Sequence, residues 1–221
     1  MASSLTNSSD WGAGNENGVR SFGILETKGW TAGMVALDSM CKSANVQVLQ
    51  VEWNDMLGAV IKIAGSASDV QSAIETGAQA AKRMQQYGAS HAINSPDRDA
   101  FRAMISPPEF NVLIEQAVVK FPLSDESVMS QANGQALGFI ETQGFTAVFE
   151  AIGTACKAAS VEVVGKEKLG GGYVTIVIRG DVAAVNAAVE AAKPKVEGLG
   201  KLIAAHVIAR PSTAALALLP K

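Results

Sequence analysis

A chain of 221 residues with a net charge of −3 lacks the basic footprint that nucleic-acid binding needs. It also lacks the run of roughly 18–20 apolar residues that a membrane-spanning helix needs. Apolar residues make up 48% but aromatics only 5%, so Ala and Val must build the core, in thin, closely packed layers and not around a large ligand cavity.

Residues 1–20 are rich in Ser, Asn and Gly, show no signal-peptide pattern, and are expected to be a disordered tail. From Ser21 the pattern changes. Phe22 to Thr27 alternates as a strand does, and Gly29 breaks it. Trp30, Gly33, Met34, Leu37, Cys41 and Ala44 then recur at helical spacing, up to Asn45. Val46, Val48 and Val51 predict a second strand, ended by Asn54 and Asp55. Ala59 to Ala64 is a third strand, with Ala59, Ile61 and Ile63 on one face and Val60, Lys62 and Ala64 on the other. Ser66 or Ser68 can cap the next helix, which places Val70, Ala73, Ile74, Gly77 and Ala81 on one face. Ser90 to Ile93 reads as a short fourth strand, and Asp99 to Ile105 as a short terminal helix.

The order β-α-β-β-α-β is that of the ferredoxin-like, split βαβ unit. Ser106 to Gln135 forms a linker punctuated by Pro107, Pro108 and Pro122; Phe110 to Phe121 is apolar enough to pack as an extra helix or strand.

The pattern then recurs. Leu137 to Thr142 is a strand, and a helix carries Phe145, Val148, Phe149, Ile152, Cys156 and Ala159. Val161 to Lys166 is a strand, Lys168 to Gly172 a loop, and Val174 to Arg179 a strand. Asp181 caps a helix with Val185, Ala188, Val189 and Ala192; His206 to Ile208 closes the sheet before a short helix that ends near Leu219. Glu26 and Glu141, Lys42 and Lys157, Cys41 and Cys156, and His91 and His206 are each 115 residues apart. The chain is therefore read as an α/β (α+β) protein of two tandem ferredoxin-like domains with mainly antiparallel sheets. The boundaries are a tail at 1–20, domains at 21–105 and 136–221, and a linker at 106–135.

These residues resemble the bacterial microcompartment (BMC) shell-protein family. The resemblance rests on three segments of the second module. Gly138 to Gly144 (GFIETQG) is similar to the family's opening strand and turn. Lys168 to Gly172 followed by Val174 to Val185 is similar to its pore loop, strand and helix start, and His206 to Pro211 (HVIARP) to its closing segment. The first module matches at the opening and at Asp38 to Ala44, carries Ser95 in place of Arg210, and departs at the pore loop, where WNDMLG (Trp53 to Gly58) replaces KLGGGY.

The resemblance implies a non-enzymatic shell protein of the tandem-domain, trimeric class (BMC-T) in non-permuted order, located in the cytoplasm in a microcompartment shell. It implies a homotrimer that imitates a hexamer, tiles with other hexameric and pentameric shell proteins, and passes small metabolites through a central pore. The pore-lining residues would be Trp53, Asn54, Asp55, Met56, Leu57, Lys168, Leu169, Gly170, Gly171 and Gly172. Lys42, Lys157 and Arg210 would contact neighbouring tiles.

Read without the family, the Gly170 to Gly172 run is a hairpin turn, Lys42 and Lys157 are solvated lysines at helix C-termini, and the histidines are half-buried structural residues. Glu26 and Glu141 fit structural hydrogen bonding at a subunit interface better than a catalytic dyad. The cysteines, without CxxC or Cys-x-His spacing, fit small core residues in a reducing compartment. The resemblance implies an Fe–S cluster only where a pore loop carries a cysteine; neither loop here does, so no cluster, metal or other cofactor is expected. The rival reading is a tandem ferredoxin-like regulatory protein that senses a small molecule.

Overall fold

The structure, a computed structural model, describes residues 21–54, 56–122 and 134–220; the tail and Asp55 lie outside the described residues. In the first module, β1 (Ser21–Lys28), α1 (Trp30–Ser43), β2 (Gln47–Asn54), β3 (Gly58–Gly65), α2 (Ala67–Arg83) and β4 (Tyr87–Ile93) follow the expected order. A short helix α3 (Arg98–Met104) ends it. The linker contributes β5 (Phe110–Asn111), β6 (Gln116–Ala117) and β7 (Val119–Lys120). The second module has β8 (Ala136–Gln143), α4 (Phe145–Ala158), β9 (Glu162–Gly170), β10 (Tyr173–Gly180), α5 (Val182–Ala192), β11 (Lys201–Ile208) and α6 (Thr213–Ala217).

Both sheets are antiparallel, ordered β4-β1-β3-β2-β7 and β11-β8-β10-β9. The linker thus resolves as strands, and β7 extends the first sheet through the pairs Val51–Lys120 and Glu52–Val119. Two helix caps read from sequence are present: Ser66 accepts from Asp69 N–H and Asp181 from Ala183 N–H.

The repeated glycines of the opening stretch are packing positions. A Cβ on Gly23 would stand 2.8 Å from Ile63 and 2.9 Å from Val70, and one on Gly138 2.7 Å from Val185. A side chain there would push the second helix of each module off its sheet.

β4 begins at Tyr87 and not Ser90, and β11 at Lys201 and not His206. The added residues are mostly Gly, Ala and polar residues of low strand propensity; pairing to the central strands β1 and β8 holds them extended. The predicted loop from Lys168 also shortens. Lys168, Leu169 and Gly170 belong to β9, with Lys168 opposite Val174, Gly170 opposite Tyr173 and Leu169 at the register shift between them, and the turn is Gly171 and Gly172 alone.

The modules pack head to tail, and α1 lies between them. One face of α1 joins the first module's core through Leu25, Ile61 and Ile74. Residues from the outer face of the second sheet (Leu137, Phe139, Val177 and Ile208) belong to the same cluster. Every residue from Trp30 to Asp38 is therefore buried. The second module's own interior, built on Ile140, Val148, Ile176 and Val185, is a separate cluster. Among the described residues its helix α4 has no neighbour on its outer side, so Phe145 and Phe149, read as core positions, are 43% and 51% exposed.

That asymmetry corrects two further expectations. Cys41 is half-buried but Cys156 is exposed, because only α1 is covered by another module. His206, next to Phe139 in β11, is half-buried, whereas His91 on β4 is exposed. Both histidines lie inside strands, not at their starts.

Candidate functional site: the module junction and its paired loops

The N-terminus of α1 is capped from the other module. Gly29 stands at the N-cap with no side chain, and the first helical N–H groups would otherwise lack acceptors. Glu141 of β8 supplies both: its carboxylate oxygens accept from Trp30 N–H and Thr31 N–H, each at 2.9 Å. Gly29 is required here. Its φ is +79°, and a Cβ would lie 3.0 Å from Glu141 Oε2. Glu141 has no exposed surface, so burial pushes its pKa up, opposed by the two N–H donors. The carboxylate sits at the positive end of the helix dipole. Glu141 is thus the interface residue its repeat position suggested, and the interface is within the chain.

At the C-terminal end of the same helix, Asp38 accepts from Ser212 N–H at 2.7 Å and pairs with Lys42 at 2.5 Å. This ties the start of α6, and with it the second module's C-terminal arm, to α1. Burial and Asp38 together raise the nearby Cys41 thiol to about 11, opposed by Ser212 and Lys42, which leaves it protonated and inert near neutrality.

Near the loops a second junction forms around Trp53. Its ring lies 4.4 Å from that of Trp30, and its Nε1–H donates to Lys168 O at 3.0 Å. The linker reinforces this contact. Gln116 accepts from Lys168 N–H and donates to Lys168 O, while Trp53 N–H donates to Val118 O. Lys120 lies 5.1 Å from the Trp30 ring centroid and 4.8 Å from that of Trp53, and pairs with Glu167 at 2.5 Å. Burial lowers the lysine's pKa and raises the glutamate's, and their mutual attraction opposes both shifts. Sequence reading missed Gln116, Lys120 and Glu167. Gln116 and Lys120 stood out only as polar residues in a mostly apolar linker stretch, and Glu167 as one charge among several in β9.

The two divergent loops meet. Gly171 would place a Cβ 3.1 Å from Leu57 Cδ2, so the leucine packs over the glycine loop. Each loop is also tied to its own module in the same way: Gly29 N–H donates to Leu57 O and Gly144 N–H to Gly172 O. Leu57 adopts φ +60°, the conformation that Gly172, at φ +81°, takes 115 residues later. For a leucine this costs about 1 kcal/mol or more. Asn54 holds the turn, accepting from Met56 N–H and Gly58 N–H.

Of the expected pore residues, Met56 is 73% exposed, while Gly171 and Gly172 are exposed and Trp53, Asn54, Leu57, Lys168 and Gly170 half-buried. Leu169 is 8% exposed and belongs to the α1 core cluster. Among the expected edge residues, Lys157 and Arg210 are exposed, and Lys42 is held by Asp38.

These features define a class before any relative is considered: a duplicated scaffold whose modules dock head to tail by helix capping and bring paired hairpin turns together. Among the described residues, no group of three or more His, Cys, Asp or Glu could hold a metal ion. A family model for the BMC domain matches residues 21–96 and again 136–211. The chain belongs to the BMC-domain family, as a tandem member. It is 48% identical over 91 residues to a probable carboxysome shell protein CsoS1E of Prochlorococcus marinus, which covers 41% of this chain and 45% of the relative. It is 47% identical over 87 residues to the bacterial microcompartment shell protein PduA of Salmonella typhimurium (39% and 93%), and 47% identical over 94 residues to the major carboxysome shell protein CsoS1A of Halothiobacillus neapolitanus (42% and 96%). The chain thus spans under half of the Prochlorococcus relative but nearly all of the other two, each match being about one module long.

Proposed function

We propose that this protein is a structural component of a cytoplasmic bacterial microcompartment shell, closing as a ring of three copies around a pore. Relatives named as shell proteins match one module over nearly their whole length. Two modules per chain then make a six-module tile from three chains.

The observation that carries the ring is the head-to-tail docking. The second module covers α1, but nothing among the described residues covers the equivalent face of α4. An interface of this kind leaves one unused half at each end of the chain and closes only in a ring. The paired turns at Leu57 and Gly171 support a pore lined alternately by the WNDMLG and KLGGGY loops. Exposed backbone N–H groups of the glycine loops would meet polar solutes, and Met56 and Leu57 would narrow the opening. Exposed Lys157 and Arg210 are available as edge contacts to neighbouring tiles, including hexameric and pentameric shell proteins.

Light scattering on the pure protein is expected to give the mass of three chains, and electron microscopy flat hexagonal layers. A stable single-chain mass at all concentrations overturns the ring; rings that never associate laterally overturn the tile.

A further inference from the structure

We infer that the Glu26 carboxylate of one copy caps the N-terminus of α4 in the next copy, completing across the ring the contact that Glu141 makes with α1 inside each chain. The inference rests on the ring reading and names the bond that closes it.

The repeat supplies the correspondence. At a spacing of 115, Glu26 matches Glu141, and Trp30, Thr31 and Met34 match Phe145, Thr146 and Phe149. Trp30, Thr31 and Met34 are wholly buried beneath the second module. Their counterparts are open: Phe145 and Phe149 are 43% and 51% exposed, and Thr146 is exposed.

The donor end is prepared and unused. The N-cap of α4 is Gly144, at φ +124°, with no side-chain acceptor for the first N–H groups. Gly29 plays the same part before α1. The acceptor end is also unused. Glu26 is half-exposed, and its carboxylate has no hydrogen-bond or ion-pair partner among the described residues. β1 and β8 share an irregularity at these glutamates: pairing to the neighbouring edge strand shifts register between Leu25 and Thr27, and between Leu202 and Ala204 opposite Glu141. The extra residues lie on the edge strands β4 and β11, so the two glutamates keep equivalent places on the central strands β1 and β8.

A second copy is the occupant these features fit, because the same chain already carries the complementary surface, realised once in its own interior. The carboxylate meets a helix N-terminus, and the two phenylalanines gain the apolar cover that Trp30 and Met34 have.

The two junctions are not equal. Asp38, which binds Ser212 N–H, corresponds to Gly153, around which a Cβ would find open space. Trp53, which donates to Lys168 O, corresponds to Lys168 itself. The junction between copies therefore lacks both contacts and relies more heavily on the glutamate cap. Dilution opens the ring into intact chains at these junctions.

The test compares the full-length wild type with Glu26→Ala by light scattering over a dilution series. The ring of the variant is expected to fall apart at a concentration about tenfold higher or more, with unchanged circular dichroism. Equal dissociation of the two rings overturns the cap and leaves the ring standing; a wild type that never exceeds one chain overturns the ring reading and the cap with it. A second measurement reads the pairing directly. In a Cys41→Ala/Cys156→Ala background, Glu26→Cys with Thr146→Cys is treated with a short bifunctional maleimide. Covalent dimers and trimers on a denaturing gel are expected; linkage only within single chains from a ring-sized species overturns the proposal.

Discussion

Glu141 lies 111 residues from Trp30 in sequence, yet its carboxylate accepts the backbone N–H of that residue at 2.9 Å. One side chain thus fixes where the second module sits on the first. Helix capping is usually local, from the residue at the helix start. Here a glycine vacates that position and the acceptor comes from another module, so cap and docking form together.

Glu141→Ala should therefore destabilise the whole chain, by about 2 kcal/mol, since it leaves two buried N–H groups without acceptors. Urea unfolding checks this. Glu141→Gln should cost less, because its amide oxygen still accepts from one of the two N–H groups and the side chain stays neutral, although its NH2 cannot accept from the other. The sign follows from the raised pKa: the native state holds this proton more tightly than the unfolded chain, so the stability from Glu141 is fullest below about pH 4.5. It declines as pH rises through the folded value. The Gln variant should lose that dependence.

The pair Lys120 and Glu167 should be strongly coupled. Removing either charge alone strands the other in a buried site, and Lys120→Met should cost about 3 kcal/mol. Lys120→Met with Glu167→Gln should recover much of the loss, because no lone charge remains. A double-mutant cycle of unfolding free energies reads the coupling; additive losses would show that the pair does not act as a unit.

His206 gives the molecule an acid-side sensitivity. Burial, and then the neighbouring Lys193, lower its pKa below 6.5. The unfolded chain therefore takes up this proton first as pH falls, and stability is lost from about pH 6.5 down through the folded value. At pH 7.5 both states are largely neutral and the residue contributes little. His206→Gln should flatten the fall in melting temperature between pH 7.5 and 5.5.

The expected edge residues give a prediction about assembly and not folding. Arg210→Ala and Lys157→Ala should leave the ring mass and melting temperature unchanged while abolishing hexagonal layers in electron micrographs. Lys42→Ala should also loosen α1, because Lys42 is paired with Asp38, which holds the C-terminal arm. A loss of ring mass in the Lys157 or Arg210 variants would move those residues from the tile edge to the junction between copies.

Much of the local architecture could be read from residues alone. The alternation in β1 and β3, the helical spacing from Trp30 to Ala44, and the caps at Ser66 and Asp181 depend on neighbours a few residues away. Less legible was any feature whose partner is remote. Lys62 alternates within β3 like a solvent-facing residue, yet it is 4% exposed, because Glu52 and the linker residue Ser106 close over it. Gln116 and Lys120 sit in a stretch that could have been helix or strand, and their partners Lys168 and Glu167 lie about 50 residues downstream.

The sequence by itself determined that the chain is a duplicated ferredoxin-like module and where its copies diverge, WNDMLG against KLGGGY. Periodicity, turn chemistry and a constant spacing are properties of the chain read in one dimension. Only the tertiary structure decided that identical positions meet different fates. Trp30 is buried and Phe145 exposed, Cys41 half-covered and Cys156 open, Glu141 bonded and Glu26 without a partner among the described residues. The physical reason is that a head-to-tail interface within one chain can satisfy only one of two equivalent surfaces.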